Sequence, residues 1–174
     1  FSVTYGAGGS TKDGTKQAVI DIRAKGSDVA PHLSFGGDSA DKIEALLSEY
    51  KNANVTRVVA LRGDMPSGMG GSVRLTYANE LVDFIREKTG DHFHIEVAAY
   101  PEVHPDSRSV ESDLDFFKAK VDAGANSAIT QYFYNPAAYF NFIDACEKKG
   151  VSIPIIPGIM PISNFQTLVR FSDM

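Results

Sequence analysis

Arg62 and Asp64 flank a glycine in "ALRGD" (60–64), where the apolar run "VTRVVA" ends and a polar, glycine-rich stretch, "MPSGMGGSVRLT", begins. An aspartate at the end of a buried strand has an electrostatic purpose or a partner, because an unpaired buried charge is costly. Its bland partner is Arg62 or Arg74; its chemical use is to tune the charge of a bound group. The four histidines, His32, His92, His94 and His104, lack the paired helical spacing of a zinc site, and the single cysteine, Cys146, adds no second thiol, so no metal is expected. His32 and His104 fall at strand ends, where they can bond a ligand, whereas His92 reads as a solvated turn. Glu96 lies inside a strand and calls for a cation at the amino-terminal end of the sheet. "GAGGSTK" (6–12) is neither a Walker loop, since no glycine precedes Lys12, nor a dinucleotide fingerprint, since Thr11 stands where the third glycine belongs. It reads as a strand-to-helix turn capped by Ser10, Thr11 or Asp13, with backbone N–H groups open to a ligand.

These residues need elements to position them. Short β-branched runs at 1–5, 29–34, 55–61, 94–100, 127–133 and 153–159 read as buried strands. Between them, apolar residues recur at helical spacing: Thr15, Ala18, Val19 and Ile22; Ile43, Leu46, Leu47 and Tyr50; Leu81, Phe84 and Ile85; Leu114, Phe117 and Val121; Tyr139, Phe142, Ile143 and Cys146; then Phe165, Leu168 and Val169. Asp38 or Ser39, Asp113, and Asn135-Pro136 read as helix starts, and Gly26, Gly90, Gly124 and Gly150 as stops. Strict strand–helix alternation predicts a parallel α/β sheet, either doubly wound or part of a (β/α)8 barrel, with about six of eight units present. In both, ligands bind beyond the carboxyl ends of the strands, and there the sequence places Thr4, His32, Arg62, Asp64, Tyr100, His104 and Gln131. A chain of 174 residues, 43% hydrophobic and 22% charged, buries a sizeable core. A net charge of −5 without a basic run argues against nucleic acid, and no apolar stretch is long enough for a membrane span.

"SVTYGAGG", "APHL", "VALRGD", "AAYPEVHP", "KVDAGANSAITQYFY" and "PGIMPISNF" occur in this order along the whole chain. Together they resemble bacterial methylenetetrahydrofolate reductase. The resemblance implies that residues 1–174 are part of a single (β/α)8-barrel flavoprotein domain. It implies FAD, reduced by NADH or NADPH, and a ping-pong reduction of 5,10-methylenetetrahydrofolate to 5-methyltetrahydrofolate at the same face. It further implies a cytoplasmic, homo-oligomeric enzyme of one-carbon metabolism and methionine biosynthesis. Asp64 matches the aspartate near flavin and pterin, and Gln131 the glutamine that bonds folate and nicotinamide in turn. Tyr5, Ala7, His32, Arg62, Gly63, Asp64, Ala78, Tyr100, His104, Asp113 and Lys120 match FAD-binding positions. Thr4 matches a nicotinamide contact, and Phe171 an aromatic that packs on dinucleotide and folate. On this reading Arg62, Lys120 and His104 surround a pyrophosphate, with Asp113 and Lys120 two helical turns apart on one face.

Four positions depart from the family pattern. Phe116 and Ala119 replace polar or basic residues on the helix expected to hold the adenine end, and Ser107 replaces a small residue. Thr167 stands where a folate-contacting glutamine is expected. The resemblance places the general-acid glutamate on a strand ahead of position 1 and further strands after 174. These residues alone are therefore expected to leave sheet edges unpaired and to show no turnover. The alternatives are a flavin-free pterin barrel such as a methyltetrahydrofolate methyltransferase, a non-catalytic flavin or folate carrier, and a generic α/β binding domain.

Overall fold

A computed structural model describes residues 1–4, 12–35, 38–62 and 77–172. Strands and helices alternate throughout: β1 (Ser2–Val3), α1 (Lys12–Ala24), β2 (Ala30–Leu33), α2 (Ala40–Asn52), β3 (Arg57–Ala60), α3 (Ala78–Thr89), β4 (His94–Ala99), α4 (Val110–Asp122), β5 (Ser127–Thr130), α5 (Pro136–Lys148), β6 (Ile155–Ile156) and α6 (Phe165–Ser172). Local chemistry sets the boundaries. The Ser39 hydroxyl caps α2 by accepting from Lys42 N–H, and the Asn135 side chain caps α5 with Pro136 in its first turn. Helix α4 starts at Ser109, which exchanges hydrogen bonds with Ser112, rather than at Asp113. Asp113 lies inside the first turn and is engaged elsewhere. Gly26, Gly90, Gly124 and Gly150 all adopt positive φ as the chain leaves a helix.

The six strands pair in parallel in chain order, β1-β2-β3-β4-β5-β6. A doubly wound sheet needs a reversal of strand order to put helices on both faces. Sequential parallel pairing with right-handed crossovers instead keeps every helix on one side, as in a barrel. The chain thus carries six βα units of (β/α)8 type. Alternation along the strands divides the sheet accordingly. Leu33, Val58, Ala60, Ile95, Val97, Ala99 and Ala128 join Val19, Ile43, Leu47, Tyr50, Leu81, Val82, Ile85, Leu114, Phe117, Phe142 and Cys146 of the helices in one core. The opposite face is polar. His32, Val59, Glu96 and Ser127 stand in register across β2–β5. Glu96, 7% exposed, accepts from Arg57 at 2.9 Å, so the cation expected for it lies at the start of β3. His94 lies 2.7 Å from Ser127 Oγ. His92 is half-buried in its turn, its ring 3.1 Å from Val55 O, and is thus less solvated than its sequence context suggests.

Helix α3 is locked to its neighbours by Arg86, whose guanidinium donates to Gly90 O, Phe93 O, Gly124 O and Asn126 Oδ1. Where the ladder ends, chemistry again decides. The expected strand 153–159 is reduced to Ile155–Ile156 because Pro154 and Pro157 bracket it and offer no N–H. Gly158 then crosses the end of β5, its N–H donating to Thr130 Oγ1 at 2.9 Å. A Cβ at this position would sit 2.1 Å from Thr130 O, a backbone atom that cannot swing away. Gly158→Ala is therefore expected to displace β6 from β5 and lower stability by about 2–4 kcal/mol. Urea unfolding of the two proteins measures it; an unchanged midpoint would mean that the close crossing is absent in solution.

Candidate functional site

Parallel strands in register bring all their carboxyl ends to one rim. Beyond the ends of β3 and β4, beside α3 and α4, lies a cavity of about 720 Å³. Its floor is Ala60, Leu61 and Ala98; its walls include Arg62, Tyr77, Ala78, Tyr100, His104 and the α4 residues Ser112, Asp113, Phe116 and Lys120. The α4 residues recur at helical spacing, so one rigid helix face supplies a hydroxyl, a carboxylate, an aromatic ring and an ammonium. Arg62 and Arg108 also line the cavity with Asp106, so that with Lys120 and Asp113 three basic side chains face two carboxylates.

The loop from Tyr100 to Ser109 is shaped by specific bonds. Val103 holds φ at 71°, a costly conformation for a β-branched residue, with its N–H donating to Tyr100 O. The chain doubles back there, and the His104 ring meets Tyr100 edge-on, centroids 4.5 Å apart. The Asp113 carboxylate accepts from His104 N–H at 3.2 Å and from Ser107 Oγ at 2.8 Å. His104 Nδ1 accepts from Asp106 N–H at 3.0 Å, which fixes the imidazole's orientation. Asp106 in turn pairs with Arg62 at 2.8 Å, and the guanidinium holds its carboxyl below the usual range.

Six residues proposed from sequence as cofactor contacts, Arg62, Ala78, Tyr100, His104, Asp113 and Lys120, therefore line a single cavity. Three others stand apart from it. His32 is half-buried on the polar sheet face, 2.5 Å from Ser2 Oγ, and burial lowers its pKa against the opposing pull of Glu96. Gln131 is exposed just past β5, its Oε1 accepting from Tyr132 N–H at 3.2 Å. Thr4 follows β1, its carbonyl accepting from Thr15 Oγ1. Tyr5, Ala7, Gly63 and Asp64 lie outside the described residues, as does the side chain of Phe171. Sequence reasoning missed Tyr77, Asp106, Arg108 and Ser112. "HPDSRS" between strand and helix places Asp106 and Arg108 on a strand-to-helix loop at the carboxyl rim, a position that makes a charged residue a candidate but does not say which partner it takes.

A family profile described as methylenetetrahydrofolate reductase matches residues 1–174. The chain is 43% identical over 174 residues to the 5,10-methylenetetrahydrofolate reductase of Escherichia coli, covering 99% of this chain and 57% of that protein. It is 38% identical over 188 residues to methylenetetrahydrofolate reductase (NADH) 1 of Arabidopsis thaliana, covering 98% of this chain and 31% of that one. The chain thus spans little more than half the length of the bacterial relative. Among solved structures, phosphonopyruvate hydrolase superposes with a TM-score of 0.65 at 12% identity, over 85% of this chain and 51% of that one. An uncharacterized Clostridium thermocellum protein that binds two copies of 5-methyl-5,6,7,8-tetrahydrofolic acid superposes at 0.53 and 17% identity, over 99% of this chain and 68% of that one. At such identities these two show the shared fold alone.

Lys120 is the costliest member of the cavity. Its ammonium donates to Ala98 O at 2.5 Å and lies 5.5 Å from the Phe117 ring centroid. Burial pushes its pKa down to about 8, against the opposing pull of Asp113. Below pH 8 the folded and unfolded chains both hold the proton, and the desolvation cost is fully present. Between about 8 and the ordinary lysine value the folded chain sheds its proton first, so stability rises with pH there and the penalty fades. Lys120→Met is expected to raise stability at pH 7 by about 1–3 kcal/mol, with a smaller gain at pH 9.5, while weakening anion binding. Urea titrations at both pH values measure the difference. An equal gain at the two pH values would remove the charged lysine as the cause.

Proposed function

The chain belongs to the methylenetetrahydrofolate reductase family, and from that premise we propose that it forms part of a flavin-dependent reductase converting 5,10-methylenetetrahydrofolate to 5-methyltetrahydrofolate with NAD(P)H. The observation that carries the flavin reading is the cavity beyond β3 and β4. It gathers Arg62, Arg108, His104 and Lys120 around a space of about 720 Å³, within the range of cofactor sites. That donor set fits FAD. Arg62 and Lys120 would hold the pyrophosphate through charge-assisted bonds, His104 would add a ring N–H, and Tyr100 would offer an apolar ring face with a polar tip. Arg62 would exchange its bond to Asp106 for one to phosphate.

Bound FAD would supply the hydride chemistry, accepting from NAD(P)H and delivering to the folate at one shared face, a ping-pong sequence. The chain's own side chains orient and tune. Asp64, two residues beyond Arg62, is proposed to set the charge next to the flavin and to favour the cationic iminium form of the folate. Gln131, at the end of β5, is proposed to bond folate and nicotinamide in turn through its amide, with Thr4 on the nicotinamide side and Phe171 packing against the flat ligands. Tyr5, Ala7, His32, Gly63 and Ala78 complete the proposed flavin contacts. The reading extends to residues 1–174 being part of a single (β/α)8 flavoprotein domain, in a cytoplasmic homo-oligomer. Among the described residues no helix is long and apolar enough to cross a membrane, and no cluster of His, Cys, Asp or Glu could hold a metal ion.

The test is a visible spectrum of the protein made from its complete reading frame. A yellow protein that bleaches with anaerobic NADH or NADPH and regains its colour with methylenetetrahydrofolate is the expected result. A colourless protein that cannot be reconstituted with FAD would sink the flavin reading and leave a flavin-free pterin barrel as the better account.

A further inference from the structure

The mouth of the same cavity is aromatic. Tyr77, immediately before α3, and Phe116, on α4, have ring centroids 6.1 Å apart and planes within 17° of parallel. They remain 48% and 55% exposed. Two stacked rings left so wet gain little from the pairing itself, since apolar stabilisation scales with area removed from water. Phe116 also stands where the family resemblance leads us to expect a polar or basic residue. A polar side chain there would address a ligand's edge, whereas a phenyl ring can address only a face.

The rings share the cavity with Arg62, Arg108, His104 and Lys120. One space therefore joins a cationic region suited to a diphosphate with a π-surface suited to a flat heteroaromatic ring. Helix α4 holds parts of both, since Asp113, Phe116 and Lys120 follow one another along the face that lines the cavity. We propose that Phe116, backed by Tyr77, is the stacking platform for the adenine ring of the flavin dinucleotide, and that in this chain face-on stacking replaces edge-on hydrogen bonding as the hold on that base. The proposal rests on the flavin reading. Stacking on an aromatic face is tolerant of base identity, because every base has a π-face. The platform thus selects for a base at the end of the dinucleotide rather than for adenine by its functional groups.

Comparison of FAD with FMN isolates the platform, because FMN carries the isoalloxazine ring and one phosphate but no adenine. Flavin dissociation constants are measured by fluorescence quenching for the full-length protein and its Phe116→Asn and Phe116→Trp variants, with thermal melts of the flavin-free proteins as a folding control. The expected result is that Phe116→Asn weakens FAD about tenfold, leaves FMN within twofold, and melts as the parent does, while Phe116→Trp keeps FAD affinity. Unchanged FAD affinity in Phe116→Asn overturns the proposal and leaves the flavin reading standing. Equal losses for FAD and FMN also overturn it, since they assign Phe116 to the shape of the cavity. A parent protein that binds neither flavin overturns the proposal together with the flavin reading.

Discussion

The carboxylate of Asp113 holds the site in one piece. Its two oxygens take the backbone N–H of His104 and the hydroxyl of Ser107, pinning both to the first turn of α4. His104 then takes the Asp106 N–H, and Asp106 takes Arg62 from the end of β3. One side chain thereby links α4, the β4–α4 loop and the β3 rim. The first turn of a helix favours an anion, because its N–H groups point at it, so Asp113 stands where the backbone itself supports the charge. Removing it would release the whole chain of bonds, whereas removing Asp106 would free only Arg62. The exposed Arg62–Asp106 pair contributes little to stability, but it keeps a guanidinium directed into the cavity.

The sheet serves two environments. Its helix side is closed by aliphatic and aromatic residues, and this core supplies most of the stability. Its other face carries Arg57, His94, Glu96, Ser127 and His32: Arg57 donates to Glu96, His94 bonds Ser127, and His32 bonds Ser2. Burial lowers the pKa of both histidines, with Arg57 reinforcing the effect at His94. Each is thus held toward the neutral state near pH 7. Protonation in acid would bring a second positive charge beside Arg57. The interior layer and the cavity are separate pieces of electrostatics: the first is balanced around Glu96, and the second carries an excess of positive groups.

Much of this was legible in the chain. The alternation of β-branched runs with helical periods located every strand and helix, and Asn135-Pro136 and the four glycines marked their ends. Choosing between a doubly wound sheet and a barrel needed strand order, which periodicity does not encode and which hydrogen bonding settled. The boundaries of β6 could have been sharpened from Pro154 and Pro157. The start of α4 was misread because Asp113 has the composition of a cap, whereas Ser109 and Ser112 form one by geometry. In the site, Arg62, Tyr100, His104, Asp113 and Lys120 were accessible through strand-end position and motif resemblance. Asp106 and Arg108 were not singled out: their place on a rim loop is a general signal, and the pairing of Asp106 with Arg62 that gives it meaning joins residues 44 positions apart. Tyr77 and Phe116 lie 39 positions apart, and nothing in the sequence announces that their rings stack.

The cavity is built from unfavourable choices. Lys120 is desolvated, Val103 is held at a positive φ, and two aromatic rings stay wet. Each lowers stability relative to a simpler alternative, and none supports the core. Such local conflicts mark places where a site, rather than folding, sets the residue. A bound anion would reverse several of them together. It would give Lys120 a partner that raises its pKa, and a flat ring over Phe116 would dry the aromatic surface. A ligand present at a hundred times its dissociation constant stabilises the folded state by about 2.7 kcal/mol, comparable to the cost of burying one lysine. The same groups that weaken the empty protein are those that would make it hold a dinucleotide. On the proposed flavin reading, Phe116 and Ala119 would hold the adenine end through contact area rather than through charge and hydrogen bonds. Binding at that end would then depend less on salt than binding at the pyrophosphate, where Arg62 and Lys120 act.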